Sequence, residues 1–227
     1  MSRLYIVATP IGNLDDITVR AKKTLEAVAH VACEDTRRTG LLLSRLQIKS
    51  HLIRCDAHNA DACVPRIVHI LDEGSDVAYV SDAGTPGVSD PGARLVEAVR
   101  AAGFPVIPVP GVSAVTTLLS VSGSSSKAWF FEGFLSNKSG RRARRIEELC
   151  QRGDPFVLYE SPHRIVKLLT AIAEIERDAY LHIGREMTKL HEEYVQGTAG
   201  EMAGMAASGT LTTKGEFTIL VLPAKSG

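Results

Sequence analysis

Thirteen consecutive residues, Val80-Ser81-Asp82-Ala83-Gly84-Thr85-Pro86-Gly87-Val88-Ser89-Asp90-Pro91-Gly92, hold three glycines and two prolines directly after an apolar run. Glycine permits positive φ and close approach of the backbone to a ligand, while proline fixes φ and removes a donor, so the segment reads as a stiff loop. Pro10-Ile11-Gly12-Asn13 and Pro110-Gly111-Val112-Ser113-Ala114 are punctuated in the same way, and none of the three stretches contains a lysine or arginine. Neither G-x-x-x-x-G-K-[ST] nor a G-x-G-x-x-G after a strand is present. A triphosphate would call for cations or a metal, whereas these loops offer backbone groups and small side chains. S-adenosylmethionine suits such a lining: backbone can hydrogen-bond its adenine and methionine moieties, its carboxylate can face a helix N-terminus, and its sulfonium needs no counter-cation.

Other residues carry chemistry of other kinds. Glu34-Asp35-Thr36-Arg37-Arg38 packs two acids and two arginines together; Asp35 or Thr36 can cap a helix there, and the charges can also contact substrate. Gly111-Val112-Ser113-Ala114-Val115 approaches the nucleophile elbow G-x-S-x-G but lacks its second glycine. With His163 and His182 available, a serine hydrolase using Ser113 is an alternative from a different class. Lys138, Arg141, Arg142, Arg144 and Arg145 form a cationic run that can bind phosphates, as in a non-catalytic RNA-binding scaffold, or can simply be a solvated helix face. His51, Cys55, His58 and Cys63 are zinc-ligand types, but their spacing matches no common paired-ligand pattern, so no metal is expected. The cysteines include no C-x-x-C pair, and all are expected as reduced thiols.

These residues need elements to position them. A chain of 227 residues can bury one large core or two smaller ones, and its 44% hydrophobic and 23% charged content fits an ordinary globular protein. Lysine plus arginine equals aspartate plus glutamate at 26 each, so any nucleic-acid binding must use a local patch. No apolar run is long enough to cross a bilayer and no signal-peptide pattern opens the chain, which points to a cytoplasmic protein with no membrane partner. Strand-like runs at residues 4–9, 31–33, 51–54, 77–80 and 106–109 alternate with helical patterns at 18–29, 36–46, 64–71, 91–102 and 115–121. Val19, Leu25 and Val28 share one face of the first helix, with Asp16 or Thr18 as its cap, and Pro91 suits a first helical turn. Such alternation predicts an α/β fold with a mainly parallel, doubly wound sheet, whose loops after each strand emerge at one edge. A serine-rich stretch at 120–127 reads as a linker between domains at 1–119 and 128–227. The second domain is predicted to hold a mixed sheet with strands at 129–133, 156–160, 180–185, 194–196 and 217–222, and helices at 141–150, 165–175 and 199–208.

Seven blocks, in order and across nearly the whole chain, carry a resemblance. They are Val7-Ala8-Thr9-Pro10-Ile11-Gly12-Asn13-Leu14-Asp15-Asp16-Ile17-Thr18, Glu34-Asp35-Thr36-Arg37, the loop from Val80 to Gly92, the loop from Pro110 to Ala114, Glu160-Ser161-Pro162-His163-Arg164, Arg185-Glu186-Met187-Thr188-Lys189 and Lys214-Gly215-Glu216-Phe217. Together they resemble the ribosomal RNA small subunit methyltransferase I family of the tetrapyrrole methylase-like superfamily. The resemblance implies S-adenosylmethionine-dependent 2′-O-methylation of a cytidine in the decoding region of 16S rRNA, a two-domain fold with the second domain closing the cofactor cleft, and a homodimer acting on 16S rRNA or the small ribosomal subunit. It assigns cofactor contacts to Pro10, Gly84, Thr85, Pro86, Val88, Pro110, Ser113, Ala114, Tyr159 and Glu160. Thr85 stands where the tetrapyrrole methylases carry an aspartate, which favours the ribosomal branch over a tetrapyrrole or other small-molecule substrate. Candidates for the base that takes the ribose hydroxyl proton are Glu34, Asp35, Glu186 and Lys214, and the residues alone do not choose among them. Arg37, Arg38, Lys138, Arg141, Arg142, Arg144 and Arg145 are the candidate RNA contacts.

Overall fold

The computed structural model describes residues 1–90 and 92–224; Pro91, read from sequence as a first-turn residue, lies outside the described residues. The chain divides into two compact units, Met1–Ser113 and a second beginning at Ala114. The division thus falls before residue 119, and helix rather than linker occupies 120–122.

In the first unit five strands, β1 (Leu4–Val7), β2 (His30–Cys33), β3 (His51–Arg54), β4 (Val77–Val80) and β5 (Val106–Val109), lie in the order β3-β2-β4-β1-β5. All four pairings are parallel. The central β4 is buried at every position, as a parallel strand covered on both faces should be. Helices α1 (Val19–Ala27), α2 (Thr36–Arg45), α3 (Ala60–Asp72) and α4 (Gly92–Ala101) connect the strands. Thr18 caps α1 by accepting from the Ala21 amide at 3.0 Å. Its buried face is Ala21 and Leu25; Val19, assigned to that face from sequence, is 71% exposed. As the first helical residue it precedes the turn that meets the sheet.

Cys55 and Cys63 form a disulfide, which corrects the expectation of four reduced thiols and leaves Cys33 and Cys150 free. The Cys55 amide extends the β2–β3 pairing through the Cys33 carbonyl at 2.7 Å. The opening turns of α3 bring Cys63 to a Cα separation of 5.5 Å, inside the range a disulfide needs. His51, Cys55, His58 and Cys63 are therefore not four free donors.

The second unit opens with α5 (Ala114–Ser122), which lies against its sheet. That sheet contains β6 (Phe130–Phe134), β7 (Phe156–Glu160), β8 (Tyr180–Arg185), β9 (Glu193–Thr198) and β10 (Phe217–Leu222) in the order β6-β7-β10-β8-β9. β6 and β7 are parallel, and the other pairings are antiparallel. The expected α/β architecture, one parallel and one mixed sheet, is what the chain adopts. Helices α6 (Ser139–Gln151), α7 (Ile165–Ile175) and α8 (Ala199–Ser208) complete the unit. Phe156, Leu158, Ile219 and Val221 alternate inward from the sheet onto Leu168, Leu169 and Ile172 of α7. Thr198 and Glu201 form a capping box at the start of α8. Among the described residues no helix is long and apolar enough to cross a membrane.

Candidate functional site

All five strands of the first sheet point the same way, so the loops after β1, β2, β4 and β5 emerge at one edge. Hydrogen bonds tie these loops together. The Thr9 amide donates to the Gly84 carbonyl at 2.9 Å and the Gly84 amide returns a bond to the Thr9 carbonyl at 3.0 Å. Thr85 Oγ1 donates to the Val112 carbonyl at 2.9 Å. The loops carrying Pro10, Gly84, Thr85, Pro86 and Val88, and Pro110 with Ser113, are thus neighbours, and Ala114 begins α5 where the third loop ends. Gly84 has φ +80°, and a Cβ built there would stand 3.3 Å from Ile11 Cγ2 and 3.6 Å from the Val112 oxygen. The edge is therefore a cradle of backbone that a side chain at position 84 would fill.

Asp90 shapes the same loop, and the sequence reading missed it. Its carboxylate accepts from the amides of Gly87 at 2.5 Å, Val88 at 3.1 Å and Gly92 at 3.0 Å, fixing the end of the loop and the start of α4 together. An aspartate two residues before a helix is the signal that could have found it.

The charged segment after β2 joins this edge through Asp82. The Asp35 amide donates to Asp82 Oδ1 at 3.2 Å, the Asp82 amide donates to Glu34 Oε1 at 3.3 Å, and Arg38 Nη1 lies 3.3 Å from Asp82 Oδ2. Asp35 caps α2 and also takes Arg37 Nε at 3.1 Å and Nη2 at 2.8 Å. The hydrogen bonds from Arg37 hold its carboxyl well below the usual carboxylate range, which makes it a poor proton acceptor. Glu34 differs. Burial pushes its carboxyl up; the bond from the Asp82 amide opposes this, and the nearby charges of Asp82, Asp90 and Asp56 add to the rise. The side chains of Arg37 and Arg38 are 90% and 65% exposed.

Three further blocks meet at one edge of the second sheet, where Glu160 pairs with Phe217 and Phe217 with Arg185. Tyr159 packs edge-on against Phe131 and Phe134. Glu160 is buried, accepts from the Ser161 amide at 2.7 Å and pairs with Arg164 at 2.9 Å. Glu186, with φ +48°, accepts from Lys189 Nζ and from the Glu216 amide, each at 2.9 Å. Burial works against its charge, but Lys189 and the Glu216 amide outweigh that and hold the carboxyl below its ordinary value. Lys214 is exposed and its carbonyl accepts from Arg185 Nη1 at 3.1 Å.

The cationic run divides by helical phase. Lys138, Arg141 and Arg144 are exposed. Arg142 faces inward with Ile146 and Leu149 and is only 8% exposed, while Arg145 is taken up by Glu132, with both contacts at 2.8 Å, and by Glu148 at 2.9 Å. Neither is an open surface contact, which corrects their assignment as a simple exposed patch. Of the histidines a hydrolase would draw on, His163 is exposed and His182 is buried in β8 against the Tyr180 ring.

Comparison with known proteins places this geometry in a family. The model for tetrapyrrole (corrin/porphyrin) methylases matches residues 3–203. A protein of Borrelia garinii subsp. bavariensis named ribosomal RNA small subunit methyltransferase I is 49% identical over 223 residues, covering 98% of this chain and 100% of that protein. Proteins of the same name from Neisseria meningitidis serogroup B and Bacillus subtilis are 42% and 40% identical, covering 98% and 97% of this chain and 76% and 75% of theirs. Among solved structures, cobalt precorrin-4 methyltransferase superposes with a TM-score of 0.71 at 17% identity, covering 96% of this chain and 94% of that one. Uroporphyrin-III-C-methyltransferase from Thermus thermophilus gives 0.67 at 20%, covering 97% and 94%. At that identity the two share the fold alone. The chain belongs to the tetrapyrrole methylase family and, within it, to the ribosomal RNA small subunit methyltransferase I group.

Proposed function

We propose that the chain transfers a methyl group from S-adenosylmethionine to the ribose 2′-oxygen of a cytidine in the decoding region of 16S rRNA, acting in the cytoplasm as a homodimer. The observation that carries this reading is the pair of bonds between Thr9 and Gly84, continued by Thr85 to Val112, which gathers three loops without a lysine or arginine into one cradle. The names of relatives matched over nearly the whole of this chain support RNA over a tetrapyrrole.

Pro10, Gly84, Thr85, Pro86, Val88, Pro110, Ser113 and Ala114 would hold the cofactor, which supplies an activated methyl group on a sulfonium. The lining fits such a group: it offers backbone amides and carbonyls and lacks the cations a polyphosphate needs. Most of the rate then comes from holding the ribose oxygen in line in a site from which water is excluded. Glu34 is the proton acceptor, since among the described residues its carboxyl has no ion pair while Asp35 and Glu186 are each committed to a cation. Arg37 and Arg38 present exposed guanidinium groups beside the same edge, suited to phosphates of the RNA backbone.

Mapping ribose methyl groups on 16S rRNA from cells with and without the gene tests the proposal. A single decoding-region cytidine is expected to lose its 2′-O-methyl group when the gene is absent and regain it when the gene is restored. An unchanged map would refute the assignment.

A further inference from the structure

Arg142 is a buried cation without a counter-charge. It is 8% exposed, its Nε is buried with no hydrogen-bond partner, and no carboxylate pairs with it among the described residues. The contrast with Arg145, one turn on and held by two glutamates, is sharp. Proteins rarely leave a buried charge unpaired, because its desolvation is then uncompensated.

What surrounds Arg142 is suited to an anion. It lines a groove between α6 and α7 together with Ser139, Gly140, Lys167, Thr170 and Glu174. Ser139 and Gly140 are the first residues of α6, a helix whose N-terminus no side chain caps. Its first-turn amides therefore carry unsatisfied partial positive charge. Lys167 adds a cation from α7. Glu174, the one acid on the groove, stands two turns further along α7, roughly 10 Å away at the helical rise, and the Thr170 hydroxyl is already donated to the Val166 carbonyl. β6, β7 and β8 run in one direction, so α6 and α7 both begin at the sheet edge that carries Glu160, Glu186 and Lys214.

We propose that this groove binds one phosphate group, with Arg142 as its principal ligand and Lys167 and the α6 amides completing the site. The phosphate is either a phosphodiester of the RNA backbone, which rests on the function proposed above, or a free phosphate compound, which does not.

The test uses the full chain, unfolded thermally in inorganic phosphate and in chloride at matched ionic strength. The wild type is expected to gain Tm saturably with phosphate. Arg142→Met, which removes a buried charge at similar volume, is expected to match or exceed the wild-type Tm in chloride and to bind phosphate roughly tenfold or more weakly. Lys167→Gln, an exposed change, is expected to weaken phosphate binding without altering Tm in chloride, and it carries the test if Arg142→Met fails to fold. RNA binding separates the two sources: a slope of log affinity against log salt that falls by about one in Arg142→Met assigns a phosphodiester. An unchanged slope with the phosphate response lost assigns a free compound. No saturable response in the wild type, or an equal response in both variants, overturns the site. Methyl transfer by the same wild-type preparation shows whether the groove alone has failed.

Discussion

Gly84→Val is expected to abolish methyl transfer while leaving the chain folded. Gly84 sits at φ +80°, a conformation that a β-branched residue resists. Even the first carbon of a side chain would press on Ile11 Cγ2 at 3.3 Å, and the valine methyls would reach further toward the Val112 oxygen. The pair of bonds between Thr9 and Gly84 would part, and the cradle would both narrow and lose its register. Backbone strain of this kind costs about 1–3 kcal/mol before any clash, so calorimetry should find S-adenosylmethionine binding weakened by roughly tenfold or more. The hydrophobic clusters of both units lie elsewhere, so circular dichroism should be unchanged. Transfer at the wild-type rate would remove this loop from the site.

Glu34→Gln is expected to lower the rate of transfer by roughly 10²–10⁴-fold, the usual contribution of a positioned general base. Glutamine can still accept from the Asp82 amide through its carbonyl oxygen, so the local structure and cofactor affinity should survive. The pH profile gives a second readout. A base works only when deprotonated, and burial raises the Glu34 carboxyl. Wild-type activity should therefore rise with pH through a value above the ordinary glutamate range, and this limb should vanish in the variant. Asp35→Asn and Glu186→Gln should act differently. They loosen the α2 cap and the turn held by Lys189, respectively, and so lower stability more than the transfer step. An undiminished rate in Glu34→Gln would take the proton-accepting role away from it.

Much of the fold was legible because the apolar runs are short and well punctuated. β3, β4, β5, β7, β8 and β10, and helices α7 and α8, fall where composition and turn residues put them. The gathering of Pro10, Gly84 and Pro110 at one edge was legible too, since it follows from parallel strands alone. The links that hold those loops were not. Thr9 to Gly84 and Thr85 to Val112 join residues far apart in sequence, and no local pattern announces such bonds. The same holds for Cys55, whose partner depends on how α3 crosses the end of β3. The cationic run misled because five charges in a row of eight conceal a helical phase: once α6 forms, position 142 turns inward while 141 and 144 stay outside. The split between units falls earlier than the serine-rich stretch suggests because α5 is apolar and small-residue-rich, and its allegiance to the second sheet is a tertiary fact.

If the carboxyl edge of the first sheet holds the cofactor, hydrogen exchange of the full chain with and without S-adenosylmethionine will register it there. Slower exchange is expected in three separate segments, residues 9–13, 84–89 and 111–114, with the opposite edge of that sheet near Ser2 and Asp76 unchanged. Protection confined to that opposite edge, or none at saturating cofactor, would contradict the claim.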